Sequence, residues 1–346
     1  MKLNDKQGIP IPFDWLTADD RSIPAISHVS TPLELALHQL HQGTVAAHFI
    51  LRRTGLFQED IAKQNFKVTP RQFACLLSNI KHENEDMAST IGLRYLPGSF
   101  HEFSDLLMHS PDINAFLSNF ERFGFLYSPL LTPRLCSTSR TTSLLFDDRF
   151  GVVTHLKLKR FMFELMASAI VSCINWLQPK PLNWTLEVCH PRNIRQPCMF
   201  DHWGVDVHYE SPQYRLSIQT GDLARQMARA SNTVYQVVSQ KCAEYEEQTI
   251  SLSLLDIVRG RLRANLRDMP KLSDMANALE MSDATFKRKL KLHHTHYQRL
   301  VDEVRCSETL LLQKEGLLSD EQIAEKLNFY DVSNFRRSLK RWRALP

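Results

Sequence analysis

The spacing of apolar residues divides the chain into segments of different periodicity. Thr31-Pro32 is a typical helix start, and an apolar residue at every third or fourth position predicts a helix to about residue 48. Thr69-Pro70 and Ser110-Pro111 begin two further segments with the same spacing. Residues 31–127 are therefore predicted to be mainly helical.

The pattern then changes to short runs rich in Thr, Val and Leu. Six of them alternate or cluster in the way that is typical of strands, and they lie at 134–139, 141–146, 151–156, 184–188, 205–209 and 214–218. A long apolar segment at about 158–177 predicts a buried amphipathic helix between the third and fourth runs. Residues 1–220 thus read as an α+β domain, in which an antiparallel sheet is favoured over a βαβ array.

From residue 221 onward the pattern is helical to the end. Residues 231–247 carry Val234, Val237 and Val238 on one face and are a candidate dimerisation helix. We expect a helical linker over 221–255 and an all-α domain over 256–346.

The last 75 residues contain an internal repeat. Met275-Ala276 aligns with Ile323-Ala324 at an offset of 48, and Arg288 aligns with Arg337 at an offset of 49. Each copy reads as a short helix, a tight turn and a second helix, with a small alanine where the two helices cross. This is the pattern of a helix-turn-helix motif, and the chain is predicted to contain two.

The second helix of each copy is predicted to have one apolar and one basic face. Ser282 and Asp331 are suitable N-caps for these helices. The inner faces carry Phe286, Leu290, Phe335, Leu339 and Trp342, and the outer faces carry Lys287, Arg288, Lys291, Arg336, Arg337 and Lys340. A helix of this kind can lie in a DNA major groove, held by phosphates while residues near its N-terminus read base edges.

A common alternative is an amphipathic helix pair with solvated charges that mediates protein contacts and never touches DNA. Two copies in register, each with a cap, a small crossing residue and a basic face, favour DNA binding.

Charge is distributed unevenly along the chain. The net charge of +4 is too small to classify the protein, but residues 252–346 hold 18 Lys and Arg against 13 Asp and Glu, whereas 1–251 hold 24 against 25. The positive excess lies entirely in the C-terminal quarter, as expected for a module that binds a polyanion.

The seven cysteines are odd in number, scattered and free of any CxxC pair. This favours reduced thiols in the cytoplasm over a disulfide framework. The N-terminus lacks an apolar signal-peptide core, and no uncharged apolar run reaches about 18 residues, so no membrane span is expected.

With these motifs in place, the sequence resembles the AraC/XylS family of bacterial transcription regulators. The C-terminal runs that follow the family pattern are 270–276 (PKLSDMA), 281–290 (MSDATFKRKL), 300–305 (LVDEVR), 323–329 (IAEKLNF) and 335–342 (FRRSLKRW). A weaker likeness to the arabinose-binding-type effector domain of the ornithine-regulator-like subgroup is carried by 91–100 (IGLRYLPGSF), Ser110-Pro111, 190–192 (HPR), 200–204 (FDHWG) and Ser211-Pro212.

The resemblance implies that one monomer places two recognition helices in successive major-groove segments, about 34 Å apart. Positions that match the family's recognition helices are Asp283, Ala284, Lys287 and Arg288 in the first helix and Val332, Ser333, Asn334, Arg336 and Arg337 in the second. Arg288 and Arg337 are the best candidates for guanine reading or phosphate clamping. Ala284 and Val332 suit thymine methyl groups.

The sequence also departs from the family pattern. Glu280 and Asn328 occupy helix ends where the family usually has glycine, because the backbone there is left-handed. His294 lies near a third such position. Because Glu adopts this conformation poorly, the first turn is expected to differ from the second. Relatives also usually continue beyond the position of Pro346 into a final short helix.

The chain also contains residues that could support other chemistry. Cys189, His190, Cys198, His202 and His208 offer soft and imidazole ligands, but their spacing fits no zinc template, so a structural role is favoured. His293, His294 and His296 are expected to be solvated or to face phosphate. Phe120, Phe123, Phe125 and Tyr127 either line an effector pocket or pack in the core.

The sequence therefore predicts a cytoplasmic, sequence-specific transcription regulator without a cofactor and without catalytic activity. Its expected partners are promoter DNA, RNA polymerase, an unidentified small-molecule effector in the N-terminal domain and a second copy of the chain, but no membrane. The alternative is a metal- or ligand-binding sensor or enzyme domain that carries an ancillary DNA module.

Overall fold

The structure is a computed structural model that describes most of the chain. The described residues are 3–4, 10–11, 23–24, 47–57, 59, 67–83, 87–97, 102–153, 156–192, 200, 203–249 and 253–343. Most of the helix predicted from Thr31 to about residue 48 lies outside them.

Helices account for most of the described residues. The α-helices are α1 Ala47–Ile50, α2 Pro70–Glu83, α3 Met87–Tyr95, α4 Glu102–Met108, α5 Ile113–Tyr127, α6 Leu156–Leu177, α7 Asn232–Thr249, α8 Leu254–Ala264, α9 Leu272–Ala278, α10 Asp283–Leu292, α11 Tyr297–Glu315, α12 Asp320–Lys326 and α13 Val332–Arg343. A 3-10 turn at Thr220–Asp222 precedes α7. The structure confirms that α2 starts at Thr69-Pro70 and that α5 starts just after Ser110-Pro111. The side chain of Asp112 caps α5 by accepting from the Ala115 N–H.

One five-stranded sheet organises the N-terminal part of the chain. The strands are β1 Leu3–Asn4, β2 Pro10–Ile11, β3 Ile23–Pro24, β4 Lys67–Val68, β5 Leu131–Ser137, β6 Thr141–Asp148, β7 Thr185–Glu187, β8 Asp206–His208 and β9 Arg215–Gln219. The short strands form the two-stranded pairs β1-β2 and β3-β4, and the large sheet has the order β5-β6-β9-β7-β8.

The large sheet is mixed, so the prediction of an antiparallel sheet is wrong at one edge. Strands β7 and β8 pair in parallel, whereas the other neighbours in this sheet are antiparallel. Alternation of apolar and polar residues reports which face of a strand is buried, but it carries no information on strand direction. The connection between β7 and β8 is also much longer than a hairpin turn, so it allows a parallel return.

The predicted strand at 151–156 is wrong in the part that the structure describes. The carboxylate of Asp148 accepts hydrogen bonds from the main-chain N–H groups of Phe150, Gly151, Val152 and Val153. These four donors are therefore unavailable to a strand ladder. Val152 and Val153 are buried without being in a strand, and helix α6 begins at Leu156.

Helix α6 is the centre of the first apolar core. It packs closely against α3, where a Cβ on Gly92 would stand 1.8 Å from Ser168 Oγ and 2.7 Å from Leu165 O. Within the described residues, Lys157–Leu177 is the one segment long and apolar enough to cross a membrane, and 78% of its apolar window is buried inside the protein. A core helix passes the same test, and the burial identifies this helix as one.

The large sheet has two different faces. One face carries Leu144, Leu186, Leu216 and Ile218, which are buried in the first core. The other face is polar, because the paired strands β9, β7 and β8 place Arg215 beside Glu187 and Glu187 beside His208. This polar face lies toward the C-terminal helices.

Residues after 220 pack back onto the first core before the chain enters the C-terminal part. Met227, Val238 and Cys242 are buried in that core, and the main chain of 223–228 bonds to the start of α5 and the end of α6. On α7, Val234 and Val237 are 36% and 54% exposed.

The C-terminal part has two small apolar cores. The first is built from α8, α9, α10 and the N-terminal portion of α11, with Phe286 and Leu290 at its centre. The second joins α12 and α13 through Ile323, Leu327 and Phe335. Helix α11 connects the two, as predicted.

Candidate functional site

Each C-terminal core encloses one pair of short helices. In the first pair, Ala276 is fully buried at the crossing of α9 and α10, and Ser282 Oγ accepts from the Thr285 N–H at 3.2 Å to cap α10. In the second pair, Ala324 is 3% exposed, and Asp331 Oδ1 accepts from the Asn334 N–H at 2.6 Å to cap α13. The predicted caps and crossing residues are confirmed.

The turns between the paired helices have the same backbone. Glu280 has φ 56° and Asn328 has φ 54°, so both adopt the left-handed conformation. The following residues close the turns alike, because Met281 N–H donates to Ala276 O at 3.0 Å and Phe329 N–H donates to Ala324 O at 2.9 Å. The expectation that the first turn differs is therefore wrong. Glu280 adopts the conformation although its Cβ disfavours it, because these hydrogen bonds and the buried helix ends define the turn.

Most of the predicted contact residues form an exposed basic surface on α10 and α13. The exposed members are Asp283, Ala284, Lys287, Arg288, Lys291, Ser333, Arg336, Arg337 and Lys340. Val332 and Asn334 are half-buried, and Val332 packs against the apolar core of α12 and α13. The inner residues Phe286, Leu290, Phe335, Leu339 and Trp342 are buried, so the predicted division of each helix into two faces is confirmed.

The basic side chains differ in how freely they can meet a ligand. Within the described part of the chain, Lys287, Arg288 and Lys291 make no ion pair or side-chain hydrogen bond. Arg336 instead pairs with Asp320 at 3.2 Å and with Glu321 at 3.3 Å, at the start of α12. These two pairs are exposed and therefore weak, so an incoming phosphate can displace them.

Two residues of the second helix also have structural roles. Asn334 Nδ2 donates to Asp331 Oδ2 at 3.2 Å, which ties it to the cap of α13. Arg337 Nε donates to the Ser333 carbonyl oxygen at 3.4 Å and leaves the end of its guanidinium group on the surface.

The histidine cluster after α10 is not uniformly solvated, so the prediction is wrong for His293. This residue is 3% exposed, and its Nδ1 lies 2.7 Å from the carbonyl oxygen of Phe150. His294 is half-buried with φ 52°, and burial lowers its pKa. His296 is exposed and caps α11 by accepting from the Arg299 N–H at 3.2 Å.

A network of charged side chains joins the two parts of the chain where β6 ends. Arg263 Nη2 of α8 donates to Asp147 Oδ2 at 2.5 Å, and Arg259 Nη1 donates to the Asp148 carbonyl oxygen at 2.7 Å. Asp256 pairs with Arg149 at 3.0 Å, with both side chains nearly buried. Helix α8 is therefore fixed to the end of β6 by polar contacts along its length.

Helix α11 makes a second set of contacts with the same polar sheet face. Arg134 of β5 donates to Ser307 Oγ at 2.6 Å and to Glu308 Oε1 at 3.1 Å. Lys314 Nζ pairs with Glu187 Oε1 of β7. The helix that joins the two helix pairs thus rests on the sheet of the N-terminal part.

Burial and neighbouring charge move the pKa values of the two aspartates in opposite directions. Burial alone would raise the pKa of Asp147, but the charges of Arg263, Arg259 and Arg134 outweigh it and hold that pKa below its usual value. For Asp148 burial dominates and raises the pKa, although Arg259 and the main-chain N–H donors oppose it. The arginine charges thus outweigh burial at Asp147 but not at Asp148.

The cysteines, histidines and aromatic residues that suggested a metal site or an effector pocket have structural roles wherever the structure describes them. Phe120 and Phe123 are buried in the apolar core of the N-terminal part, around α6. The side chains of Phe125 and Tyr127 lie outside the described residues. Cys198 and His202 also lie outside them. The remaining histidines have separate carboxylate partners, because His190 lies 3.3 Å from Glu164 and His208 lies 2.8 Å from Asp206.

Comparison with known proteins relates this architecture to bacterial regulators. Residues 45–227 match the N-terminal arabinose-binding domain of AraC transcription regulators. The ornithine utilization regulator of Pseudomonas aeruginosa is 34% identical over 141 residues, which are 40% of this chain and 42% of the relative. An HTH-type transcriptional regulator of Mycobacterium bovis is 29% identical over 86 residues, a quarter of each protein.

These two matches span about two fifths and one quarter of the relatives' own lengths. The crystal structure of the transcriptional regulator CdpR from Pseudomonas aeruginosa aligns with 91% of this chain and 94% of its own, with a TM-score of 0.46 and 17% identity. The domain match covers more than half of the chain. The chain therefore belongs to the AraC family of transcription regulators, within the group that carries an arabinose-binding-type N-terminal domain.

Proposed function

We propose that the protein is a sequence-specific regulator that binds promoter DNA through two helix-turn-helix motifs. The motifs are α9–α10 and α12–α13, with α10 and α13 as the recognition helices. The observation that carries this proposal is the repetition of one geometry, with φ of 56° and 54° in the two turns and an exposed basic face on each second helix. A generic helix pair has no reason to occur twice with the same turn and the same charged face.

The proposal gives the exposed residues different tasks. Arg288 and Arg337 carry base reading or close phosphate contact, because a guanidinium group binds guanine or phosphate through two parallel hydrogen bonds. Lys287, Lys291, Arg336 and Lys340 supply phosphate contacts, which position the protein without specifying sequence. Asp283, Ala284, Val332, Ser333 and Asn334 lie in the first turns, where recognition helices approach base edges.

For the domains we keep the division expected from the sequence as a proposal. We propose that residues 1–220 bind an effector and mediate dimerisation, that 221–255 form a linker, and that 256–346 bind DNA. Val234 and Val237 give α7 an exposed apolar surface that fits contact with a second copy. Cytoplasmic location and contact with RNA polymerase follow from this role, and the name of the Pseudomonas relative makes ornithine the first effector to test.

The polar contacts at the end of β6 support control of DNA binding by the N-terminal part. They join α8 and α11 to the sheet, so an effector that shifts the sheet also changes the energy of the helices that carry the recognition surfaces. A coupling of about 1–3 kcal/mol is typical of such regulators.

The test is capture and sequencing of genomic DNA fragments by the full chain, followed by titration of a captured fragment at several salt concentrations. About six phosphate contacts predict a slope of log affinity against log salt near −5. Absence of any reproducibly enriched fragment, or an affinity that does not depend on salt, would contradict the proposal.

A further inference from the structure

The polar face of the large sheet is not completely covered by the C-terminal helices. Where α11 crosses β9, β7 and β8, a cavity of about 500 Å³ remains between helix and sheet. Its walls include Arg215, Glu187, Asp206, Thr185 and Ser217 from the sheet, and Leu310 and Lys314 from α11. This volume falls within the range of about 300–1,000 Å³ that is usual for small-molecule sites.

Strand register arranges the walls of this cavity in two rows. Ser217, Thr185 and Asp206 lie side by side in one row. Arg215, Glu187 and His208 lie side by side in the other. The cavity is therefore lined by hydroxyl groups and by charges of both signs, which suits a polar ligand and disfavours an apolar one.

The two strongly basic side chains of the cavity lie at one end around Glu187, and an exposed carboxylate lies at the other. Arg215 of β9 is 2% exposed and lies beside Lys314 of α11, with Glu187 between them at 3.6 Å from Arg215 Nε. Asp206 lies two strands away on β8, at the edge of the sheet, and its side chain is 73% exposed. Two strand spacings amount to about 10 Å. A ligand that meets both ends needs a negative and a positive group separated by several bonds.

From this arrangement we infer that the cavity between α11 and the sheet binds a small ω-amino acid. The ligand carboxylate contacts Arg215 and Lys314, and the ligand ammonium group contacts Asp206. This inference rests on the proposed function, and it names the effector class and its site.

Because Lys314 belongs to the helix between the two recognition motifs, the ligand touches the N-terminal and C-terminal parts at once. Its carboxylate competes with Glu187 for Lys314, and that pair is one of the contacts that fix α11 to the sheet. The site therefore needs no relay through the protein interior to affect DNA binding.

The experiment compares three probes of the same length on the full chain by calorimetry at up to about 10 mM. The probes are 5-aminopentanoate, pentanoate, which lacks the ammonium group, and pentylamine, which lacks the carboxylate. We expect 5-aminopentanoate to bind at least about tenfold more tightly than either control, because each charge-assisted contact contributes roughly that factor.

Two variants assign the binding to the cavity. Asp206→Asn and Lys314→Gln are each expected to lower the affinity for 5-aminopentanoate about tenfold. The matched controls Asp268→Asn and Lys326→Gln remove the same charges from exposed positions outside the cavity and should leave its affinity unchanged.

Absence of 5-aminopentanoate binding, equal binding of pentanoate, or equal loss in the control variants would overturn the inference. Titration of captured DNA without any probe distinguishes this failure from failure of the proposed function. A chain that binds DNA but not 5-aminopentanoate retains the proposed function and loses the site.

Discussion

Arg263 Nη2 lies 2.5 Å from Asp147 Oδ2, so an arginine of helix α8 is bound near the end of strand β6, more than a hundred residues earlier in the chain. About one fifth of each side chain is exposed. The pair belongs to the network at the end of β6, which also includes Arg259 and Arg134. This network fixes the C-terminal part to the sheet.

Replacement of Asp147 by Asn should therefore destabilise the protein. Arg263 loses its carboxylate partner, and Arg134 and Arg259 lose a nearby negative charge. Loss of one member of a largely buried pair costs about 1–3 kcal/mol at neutral pH. The measurement is the free energy of unfolding in urea. Asp268→Asn is the control, because Asp268 is exposed and has no ion pair within the described residues. Equal stability of Asp147→Asn and wild type would contradict the assigned role.

The effect of Asp147→Asn should also depend on pH in a defined direction. The pKa of Asp147 in the folded protein is held below its usual value. The stabilisation of the folded state by the Asp147 carboxylate is therefore fully present above the unfolded pKa of about 3.9. It is lost as the pH falls through the lower folded value. The difference in unfolding free energy between wild type and variant should shrink in acid, and a difference that grows in acid would show that the sign is wrong.

Gly151→Ala should weaken the packing between the N-terminal part and the C-terminal helices through a steric clash. Gly151 has φ 70°, and a Cβ there would stand 2.1 Å from the main-chain oxygen of His293. Both backbone strain and the clash oppose alanine, so we expect a loss of at least about 1 kcal/mol in chemical unfolding. Gly221→Ala is the matched control, because a Cβ at Gly221 meets no atom within 4 Å and its φ is not positive. Equal effects of the two substitutions would exclude close packing at Gly151.

The left-handed residues in the two turns offer substitutions that should stabilise the protein. Glu280→Gly removes the Cβ strain at φ 56° and should raise stability by about 0.5–1 kcal/mol. Asn328→Gly should gain less, because Asn tolerates this conformation better than Glu. Glu325→Gly, inside helix α12, should instead destabilise the protein by about 0.5–1 kcal/mol. Thermal unfolding of the three variants checks this order, and a loss of stability in Glu280→Gly would contradict the turn geometry.

The sequence predicted the C-terminal helices well because their information is local. Ser282 and Asp331 as caps, Ala276 and Ala324 at the crossings and the basic residues at helical spacing each act within a few positions of the chain. The same locality explains the predicted strands β5 and β6, which are short runs rich in Thr and Leu bounded by turn-like positions.

The failures arose where distant or side-chain interactions decide the structure. The strand predicted at 151–156 is replaced by a turn because Asp148 captures four main-chain donors, which hydrophobic patterning does not reveal. The burial of His293 depends on Phe150, 143 positions away. The polar sheet face could not be predicted because its partners lie on helices of the other part of the chain.

We propose that α10 and α13 are both recognition helices, and the DNA affinities of arginine variants check this claim at each helix. The full chain should be titrated with a captured genomic fragment as wild type, Arg288→Ala, Arg337→Ala and Arg140→Ala. Arg140 is exposed at the turn between β5 and β6, far from both helices in sequence, and is the matched control. We expect Arg288→Ala and Arg337→Ala each to lose about 1–3 kcal/mol of binding free energy, with Arg140→Ala equal to wild type. Affinities of Arg288→Ala and Arg337→Ala that equal wild type would contradict the claim.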